Sequence, residues 1–269
     1  VVPGGPACYC SLTSRALKFD VTLHTKFGSD FSLAGYLSEQ KIKLEDTMSD
    51  KLTTQFTLEI LGSERTLFLE NQCESINDVS LDSDSVLISP VFDEISNETF
   101  MKIKRNTNFV LLDPQGFLRR KDSENKIYLE NTQLDFSYIS AIKTNPEELK
   151  CITGGYEDDN MKILQKNGID SVILTDKQNI SVLSKDKIYS IKLPNINLYD
   201  TTGVGDIFSA AFCCTMIKEN DILWALSFAG GAAQAALDSK KIGLEKIPPK
   251  GAIETNAYYF YNTVKFRQI

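Results

Sequence analysis

The chain of 269 residues is long enough for one large α/β domain, or for one domain with a small addition, and for a substantial hydrophobic core. Its formal net charge of -7 at pH 7, without a run rich in Lys or Arg, argues against nucleic acid or an anionic membrane as a partner. The longest nearly uncharged stretch, residues 223–237, is too short to span a bilayer. We therefore expect a soluble protein.

The cysteines and the histidine argue against several kinds of site. Six cysteines occur without CxxC spacing, so we interpret them as reduced and mostly buried thiols of a cytoplasmic protein. The single histidine, His24, cannot supply a histidine-based triad or a metal site built from several histidines. It lies in a strand-like run, and we expect its role to be structural.

The first fifty residues predict two helices and a strand. Residues 7–17 are small and apolar with polar breaks, which favours a helix that begins after the glycine pair Gly4-Gly5. Residues 19–26 are strand-like, and Asp30 is a typical N-cap for a second helix over residues 31–40.

The next stretch changes to a period of two residues. Apolar side chains alternate from residue 53, and Gly62-Ser63 forms a turn, so residues 53–69 predict a β-hairpin. The alternating residues on one side are Thr54, Phe56, Leu58 and Ile60. We assign residues 51–71 to a β lid, and residues 1–50 and 72–269 to an α/β core. The alternative is an ordinary edge hairpin of the main sheet.

The remaining chain alternates buried strands with helices. Short continuous apolar runs are typical of parallel strands covered on both faces, and they occur at residues 86–88, 110–112, 138–142 and 172–174. Residues 180–183 and 188–192 predict two further strands. Most of the apolar runs end in polar residues, and ligands of open α/β sheets bind at that carboxyl edge. The predicted fold class is therefore α/β with a largely parallel sheet.

Residues 200–206, DTTGVGD, are the strongest functional motif. Gly203 and Gly205 permit a turn with positive φ and a close approach to a ligand, and a helix that begins here presents free N–H groups to an anion. Asp206 makes chemical sense as a general base that takes a proton from a hydroxyl while those N–H groups hold a transferring phosphoryl group. The alternative is an ordinary capped helix start.

A second candidate is NPEE, residues 145–148. Asn145 is a natural N-cap with Pro146 at the first helical position, so helix capping alone explains the sequence. The functional alternative is that Asn145 and Glu148 steer a largely hydrated Mg²⁺.

Together these motifs resemble the ribokinase/PfkB family of carbohydrate kinases. Its D-T-x-G-A-G-D motif matches residues 200–206 with Val204 in place of Ala, and its N-x-x-E matches residues 145–148. The order and spacing of the motifs also agree with Gly4-Gly5, Gly243 and Pro248. The resemblance implies a Rossmann-like three-layer α/β/α sandwich with a small β-sheet lid. It also implies transfer of the γ-phosphoryl group of ATP, with Mg²⁺, to a sugar-like hydroxyl.

The resemblance assigns roles by position. Asp206 would be the catalytic base and would also contact the substrate, and the N–H groups of Gly203, Val204 and Gly205 would form the anion hole. Asn145 and Glu148 would organise Mg²⁺ and phosphates. The remaining assignments are Thr175, Thr201 and Gly230 to the nucleotide, Gly4, Gly5 and Tyr9 to the acceptor, and Asp200 and Thr202 to a monovalent cation such as K⁺.

Three departures leave the acceptor open. Tyr9 stands where the family has a sugar-binding Asn, the glycine of the T-x-G nucleotide loop is replaced after Thr175, and the family's substrate-binding Asp and further lid strands would lie before Val1. Sugars, polyols such as an inositol, and nucleosides all remain candidates. The competing hypothesis is a catalytically inactive nucleotide- or sugar-binding protein on the same fold.

Two further expectations concern other classes and assembly. An NAD-dependent dehydrogenase is disfavoured because the glycines lie near the C-terminus and not after a first strand. An isolated two-stranded hairpin cannot bury its apolar face by itself, so it must close over the acceptor site or pair with a second subunit. We therefore expect a homodimer.

Overall fold

The computed structural model describes residues 2–45, 47–61, 64–77, 79, 81–194 and 200–269. The strands are β1 Val21–His24, β2 Ile42–Glu45, β3 Gln55–Leu61, β4 Glu64–Asn71, β5 Ser85–Ile88, β6 Phe109–Leu112, β7 Arg119–Lys121, β8 Ile127–Leu129, β9 Ala141–Thr144, β10 Ser171–Asp176, β11 Asn179–Ser184, β12 Lys187–Lys192 and β13 Lys265–Gln268. The helices are α1 Gly5–Ala16, α2 Ala34–Glu39, α3 Asn97–Arg105, α4 Gln115–Leu118, α5 Pro146–Thr153, α6 Asp158–Lys166, α7 Val204–Glu219, α8 Ile222–Asp238 and α9 Lys250–Thr263. A short 3₁₀ helix covers Gly243–Lys246.

In the described residues the central sheet has seven strands in the order β13-β12-β11-β10-β9-β6-β5. The strands β5, β6, β9 and β10 are parallel, whereas β11, β12 and β13 are antiparallel additions at one side. The apolar runs of the parallel strands are buried because helices cover both faces of the sheet.

Two hydrophobic cores lie on opposite faces of this sheet. One core packs α3, α5 and α6 against strand residues such as Leu112 and Val172. The other packs α1, α7, α8 and α9 against residues such as Leu111 and Ile173. The alternation of Leu111 and Leu112 between the two cores follows from the strand period of two. The three-layer α/β/α prediction is therefore confirmed.

The chain segment after α1 forms a separate small sheet. β1 pairs in parallel with β2, with Val21 opposite Ile42, and a small apolar cluster of Leu12, Leu37 and Ile42 joins this pair to α1. His24 lies on β1, 3.9 Å from a carboxylate oxygen of Glu45. The sequence did not predict β2, because its Ile-Lys-Leu-Glu alternation is short and lacks turn residues that would mark its start.

The hairpin β3–β4 lies outside the seven-stranded sheet. Its register pairs Phe56 with Leu69 and Leu58 with Leu67, and the predicted turn at Gly62-Ser63 lies outside the described residues. A single bridge between Phe68 and Lys126 connects β4 to the second hairpin, β7–β8. The apolar face is thus buried near its base, at Leu69, and exposed at Leu58 and Ile60.

Two local predictions are wrong. Asp30 does not cap a helix: its carboxylate accepts hydrogen bonds from the N–H and the hydroxyl of Thr53, and α2 begins at Ala34. The strand expected from residue 138 begins at Ala141, because Tyr138 has φ +65° and belongs to a turn. None of the described helices is both long and apolar enough to cross a bilayer.

Candidate active site

The start of α7 is shaped by two glycines. Gly203 has φ +78°, a conformation that glycine adopts at little cost, and it directly precedes the first helical residue, Val204. A Cβ atom on Gly203 would lie 2.3 Å from Cε2 of Tyr9. Only glycine therefore fits between the backbone turn and the Tyr9 ring, and α1 supports the loop of residues 200–206 from below. We call these residues the anion-hole loop.

The free N–H groups of this helix start differ from the expected set. The N–H of Val204 donates to the carbonyl oxygen of Thr201 at 3.2 Å, so it is already used within the turn. Gly205 and Asp206 are the second and third helical residues, whose N–H groups have no carbonyl within the helix. The N–H groups that remain available to an anion at this helix start are therefore those of Gly203, Gly205 and Asp206, while that of Val204 is engaged in the turn.

Asp206 lies in the first turn of α7, partly exposed, with Cys10 Sγ 3.5 Å from its backbone oxygen. Burial raises the pKa of Asp206 to about 7, and the negative charge of Asp113 adds to this rise against the opposing charges of Lys143 and Arg119. A carboxyl group with a pKa near neutrality is a suitable acceptor for the proton of a hydroxyl. Asp206 thus has the electrostatics of a general base.

A buried ion pair lies directly below this helix start. Nζ of Lys143, at the end of β9, lies 2.8 Å from Oδ2 of Asp113, which follows β6 and is fully buried. The same Nζ would lie 3.3 Å from a Cβ on Gly205. Burial alone would lower the pKa of Lys143, but Asp113, Glu148 and Asp206 raise it. Lys143 therefore carries a fixed positive charge between the carboxylates.

Asn145 and Glu148 form a capping box at the start of α5. The side-chain oxygen of Asn145 accepts from the N–H of Glu148 at 2.9 Å, and Oε2 of Glu148 accepts from the N–H of Asn145 at 2.9 Å. The capping interpretation is thus confirmed for both residues. Glu148 is also buried beside Asp113 and Lys143, and burial followed by Asp113 raises the pKa of Glu148 to about 7.

Asp200 and Thr202 contact a side chain that the sequence did not single out. Nζ of Lys246 lies 2.6 Å from Oδ2 of Asp200, 3.1 Å from its backbone oxygen and 2.8 Å from the backbone oxygen of Thr202. Oδ1 of Asp200 accepts from the N–H of Thr202 at 2.9 Å. Burial would raise the pKa of Asp200, but the hydrogen bonds from Lys246 and Thr202 lower it.

Three predicted ligand residues have structural partners. Tyr9 is only 1% exposed beneath Gly203 and adjoins Gly4, so its ring supports the anion-hole loop, and burial raises its pKa to about 12. Thr175 donates its hydroxyl to the carbonyl oxygen of Thr144 at 3.2 Å, which ties the ends of β9 and β10 together. Gly230 is buried in α8, where a Cβ would lie 2.2 Å from Cδ1 of Ile191.

The segment that follows β6 is closely packed at the sheet edge. In this segment, Asp113-Pro114-Gln115-Gly116, Asp113 is fully buried and a Cβ on Gly116 would lie 2.4 Å from the backbone of Pro90. Gly4 and Gly5 remain at the start of α1, with Gly5 at φ +75°. The glycine at 116 therefore serves the close packing of two loops at the sheet edge.

Lys143, Arg119 and Lys246 are site residues that sequence reasoning missed. The sequence does contain one indication of Lys143: a lysine near the end of an otherwise apolar strand, as in Ala141-Ile142-Lys143, indicates a charged group at the carboxyl edge of the sheet. Arg119 also lies close to the hairpin, with its guanidinium carbon 5.7 Å from the centre of the Phe56 ring. Lys246 gave no such signal, because it is 46 residues from Asp200 in the chain.

Lys246 is also one of the residues that line a cavity of about 450 Å³. Its walls come from the end of α8, the 3₁₀ helix and the start of α9, and the lining residues include Asp238, Ile247, Pro248, Thr255 and Asn256. The cavity size is within the usual range of small-molecule sites. Apart from this cavity, the described site combines a helix start, a carboxyl group with a raised pKa and a fixed positive charge.

The sequence matches the family model for "pfkB family carbohydrate kinase" over residues 1–247. The chain belongs to this family and is a carbohydrate kinase. No curated protein matches it significantly by sequence.

Solved structures share its fold. A pyrophosphate-dependent kinase of the ribokinase family, complexed with a pyrophosphate analog and myo-inositol, has a TM-score of 0.81 at 21% identity, covering 93% of this chain and 90% of that one. Thermotoga maritima ribokinase has 0.76 at 17% identity, covering 95% and 88%. Arabidopsis thaliana ribokinase complexed with ribose and ATP has 0.73 at 18% identity, covering 94% and 87%.

Proposed function

We propose that this kinase transfers the γ-phosphoryl group of ATP to a hydroxyl of a sugar or of a sugar-like molecule such as a polyol, an inositol or a nucleoside. The observation that carries the proposal is the position of Asp206, a carboxyl with a pKa near 7 at a helix start whose N–H groups are free for an anion. An intact base is hard to reconcile with the competing hypothesis of an inactive binding protein.

In the proposed reaction Asp206 accepts the proton of the attacking hydroxyl. The N–H groups of Gly203, Gly205 and Asp206 hold the oxygens of the transferring phosphoryl group, and the charge of Lys143 below them offsets the negative charge that gathers there. Each of these groups is fixed before the substrate arrives, so little reorganisation is needed in the transition state.

Mg²⁺ fits the residues around Glu148 as a hydrated ion. Among the described residues no cluster of three or more acidic, Cys or His side chains could hold a metal directly. The capping box uses Oε2 of Glu148, which leaves Oε1 and the amide nitrogen of Asn145 for waters or phosphate oxygens. Mg²⁺ usually keeps several waters, and when bound it would neutralise phosphate charge.

For the nucleotide we propose the cavity beside Lys246 as the base site, with Thr201 and Thr175 nearer the phosphates. The cavity supports ATP because it adjoins the anion-hole loop through Lys246. Gly230 would influence this site only through the packing of α8, since its Cβ direction is filled by Ile191. For the acceptor we propose Gly4, where a Cβ would lie 3.4 Å from the Tyr9 ring, together with the adjoining Gly5.

Pyrophosphate is the second candidate donor. Asp176-Lys177 replaces the expected glycine of the nucleotide loop, and structural neighbours with TM-scores of 0.81 are pyrophosphate-dependent. A panel of sugars, polyols and nucleosides, supplied with Mg²⁺ and either ATP or pyrophosphate, decides between the donors. We expect ADP release that depends on one class of acceptor. If turnover that depends on the acceptor is seen with pyrophosphate, as release of orthophosphate, and not with ATP, pyrophosphate is the donor. Background rates across the panel with both donors would support the inactive binding protein.

We also propose a homodimer formed through the hairpin, in a cytoplasmic protein. The hairpin exposes Leu58 and Ile60, on one face of β3, to solvent by 40% and 57%, and a second subunit would cover this apolar surface. The described cysteines are all free thiols, which suits a reducing compartment. Replacing Leu58 and Ile60 by Ser should lower the sedimentation coefficient from that of a dimer to that of a monomer, whereas a wild-type chain that sediments as a monomer would remove the proposal.

A further inference from the structure

Lys246 is a lysine with an unusual environment. Its side chain is 1% exposed, and its ammonium group faces three oxygens of the anion-hole loop at 2.6 to 3.1 Å. An ammonium group has three donors, so the three oxygens match its hydrogen-bonding capacity. Buried lysines are rare unless they are paired, which indicates a specific task for this one.

The oxygens around Nζ are those of a small cation site. Two are backbone carbonyl oxygens, of Asp200 and Thr202, and the third belongs to the Asp200 carboxylate, which is 21% exposed. Backbone carbonyls that converge on one point are also the groups that replace the hydration shell of K⁺. The resemblance implied a monovalent cation at Asp200 and Thr202, yet a K⁺ ion does not fit among oxygens that already hold Nζ.

We propose that the ammonium group of Lys246 takes the place of a bound monovalent cation, so that this protein fixes its anion-hole loop without K⁺. The carbonyl of Thr202 belongs to the residue before Gly203, and its hydrogen bond to Nζ sets the direction of the following turn. Lys246 is therefore a positioning residue: it acts on phosphoryl transfer through the orientation of the free N–H groups of the helix start.

The test compares wild type with Lys246→Met, which has nearly the same shape but lacks the terminal ammonium group. The removed group leaves a hole lined by three unpaired oxygens, the size of one small cation. The matched control is Lys250→Met, since Lys250 lies half-exposed at the start of α9 and forms an exposed ion pair with Glu254. Melting temperatures are measured in about 100 mM KCl and in tetramethylammonium chloride of the same ionic strength.

We expect the melting temperatures of wild type and Lys250→Met to agree in the two salts within about 1 °C. Lys246→Met should melt several degrees lower in tetramethylammonium chloride and regain about 3 °C or more in KCl or NH₄Cl, because the cation binds only the folded state. A wild-type melting temperature that rises with K⁺ contradicts the proposal whether or not the variant folds. So does a folded Lys246→Met that ignores K⁺ and NH₄⁺.

The rate gives a second readout, and it alone rests on the proposed function. With ATP and an active acceptor, wild-type turnover should change less than about twofold between the two salts, whereas Lys246→Met should lose roughly tenfold or more and recover with K⁺. A purely structural lysine would not produce a K⁺-dependent rate. The melting experiment needs no acceptor, so it decides the role of Lys246 even if the proposed reaction is wrong.

Discussion

Asp206 is surrounded by charges of both signs, and its ability to act as a base depends on their balance. Asp113 and burial raise the pKa of Asp206, whereas Lys143 and Arg119 lower it. The negative charge of Glu148 makes a further, smaller contribution that also raises the pKa of Asp206. The net result is a carboxyl group whose protonated and charged forms are both populated near neutral pH.

The first prediction concerns Lys143. A base must be deprotonated to act, so kcat/KM should rise with pH and level off above about 7 in the wild type. Lys143→Met removes a positive charge that lowers the pKa of Asp206, so the rising limb should move to higher pH. The matched control is Lys150→Met, which changes an exposed lysine of α5. A limb that stays in place in Lys143→Met means that Asp206 is not the titrating base.

At the scale of elements, the start of α5 serves two purposes that one substitution separates. Glu148→Gln keeps the capping box, because Gln bonds the N-cap N–H as Glu does, but it removes the negative charge near a hydrated Mg²⁺. We expect the Mg²⁺ concentration for half-maximal rate to rise roughly tenfold, with little change in melting temperature.

Glu147→Gln is the matched control, since Glu147 is exposed in the same helical turn. Equal Mg²⁺ requirements in wild type and Glu148→Gln would return residues 145–148 to a capping role alone.

The hairpin contacts the site residue Arg119 through the ring of Phe56. Phe56 of β3 lies under the guanidinium of Arg119 and 6.5 Å from the ring of Phe92, while Arg119 donates to the carbonyl oxygen of Val91 at 3.0 Å. A cover over the site excludes water from the phosphoryl group. Phe56→Ala should therefore raise ATP hydrolysis without acceptor by roughly threefold or more, with unchanged core stability.

Thr57→Ala serves as the control for that measurement, because Thr57 is exposed on the opposite face of the same strand. If Phe56→Ala unfolds the protein globally, or hydrolyses ATP no faster than Thr57→Ala, the hairpin is a structural part of the core and not a cover.

Elements differ in how far the sequence predicts them. The strands β6 and β10 could be found because parallel strands between two helix layers are largely continuous in apolar residues. The capping box at Asn145 and the helix start at Gly203 could be found because each requires particular residues at fixed spacing. The pairing of β1 with β2 could not, because it depends on packing against α1 and not on local preference.

The site was predictable only where its residues are close in the chain. Asp206 and the glycines lie within one motif, so their roles could be inferred together. Lys246 reaches Asp200 across 46 residues, and Tyr9 reaches Gly203 from the other end of the chain, so only the folded structure reveals either contact. A buried lysine is in any case contrary to the general expectation that lysines are exposed.

At the scale of the whole molecule, the site imposes a cost on stability. A carboxyl whose pKa is raised in the folded state contributes stability below its unfolded pKa, near 4, and loses it as the pH rises through about 7. Asp206→Asn removes the charge, so its melting temperature should exceed that of wild type at pH 8 by about 2 °C or more, and the difference should shrink at pH 5. A difference that is independent of pH would show that Asp206 titrates normally.

The most direct test of the proposed reaction follows phosphoryl transfer by wild type and Asp206→Asn with ³¹P NMR, at saturating ATP, Mg²⁺ and an acceptor from the active class. We predict that wild type forms a phosphate monoester of the acceptor. Asp206→Asn should bind ATP with similar affinity but form the ester about 10²- to 10⁴-fold more slowly, the scale of lost general-base catalysis. Ester formation by Asp206→Asn at more than about a tenth of the wild-type rate would contradict the assignment of Asp206 as the base.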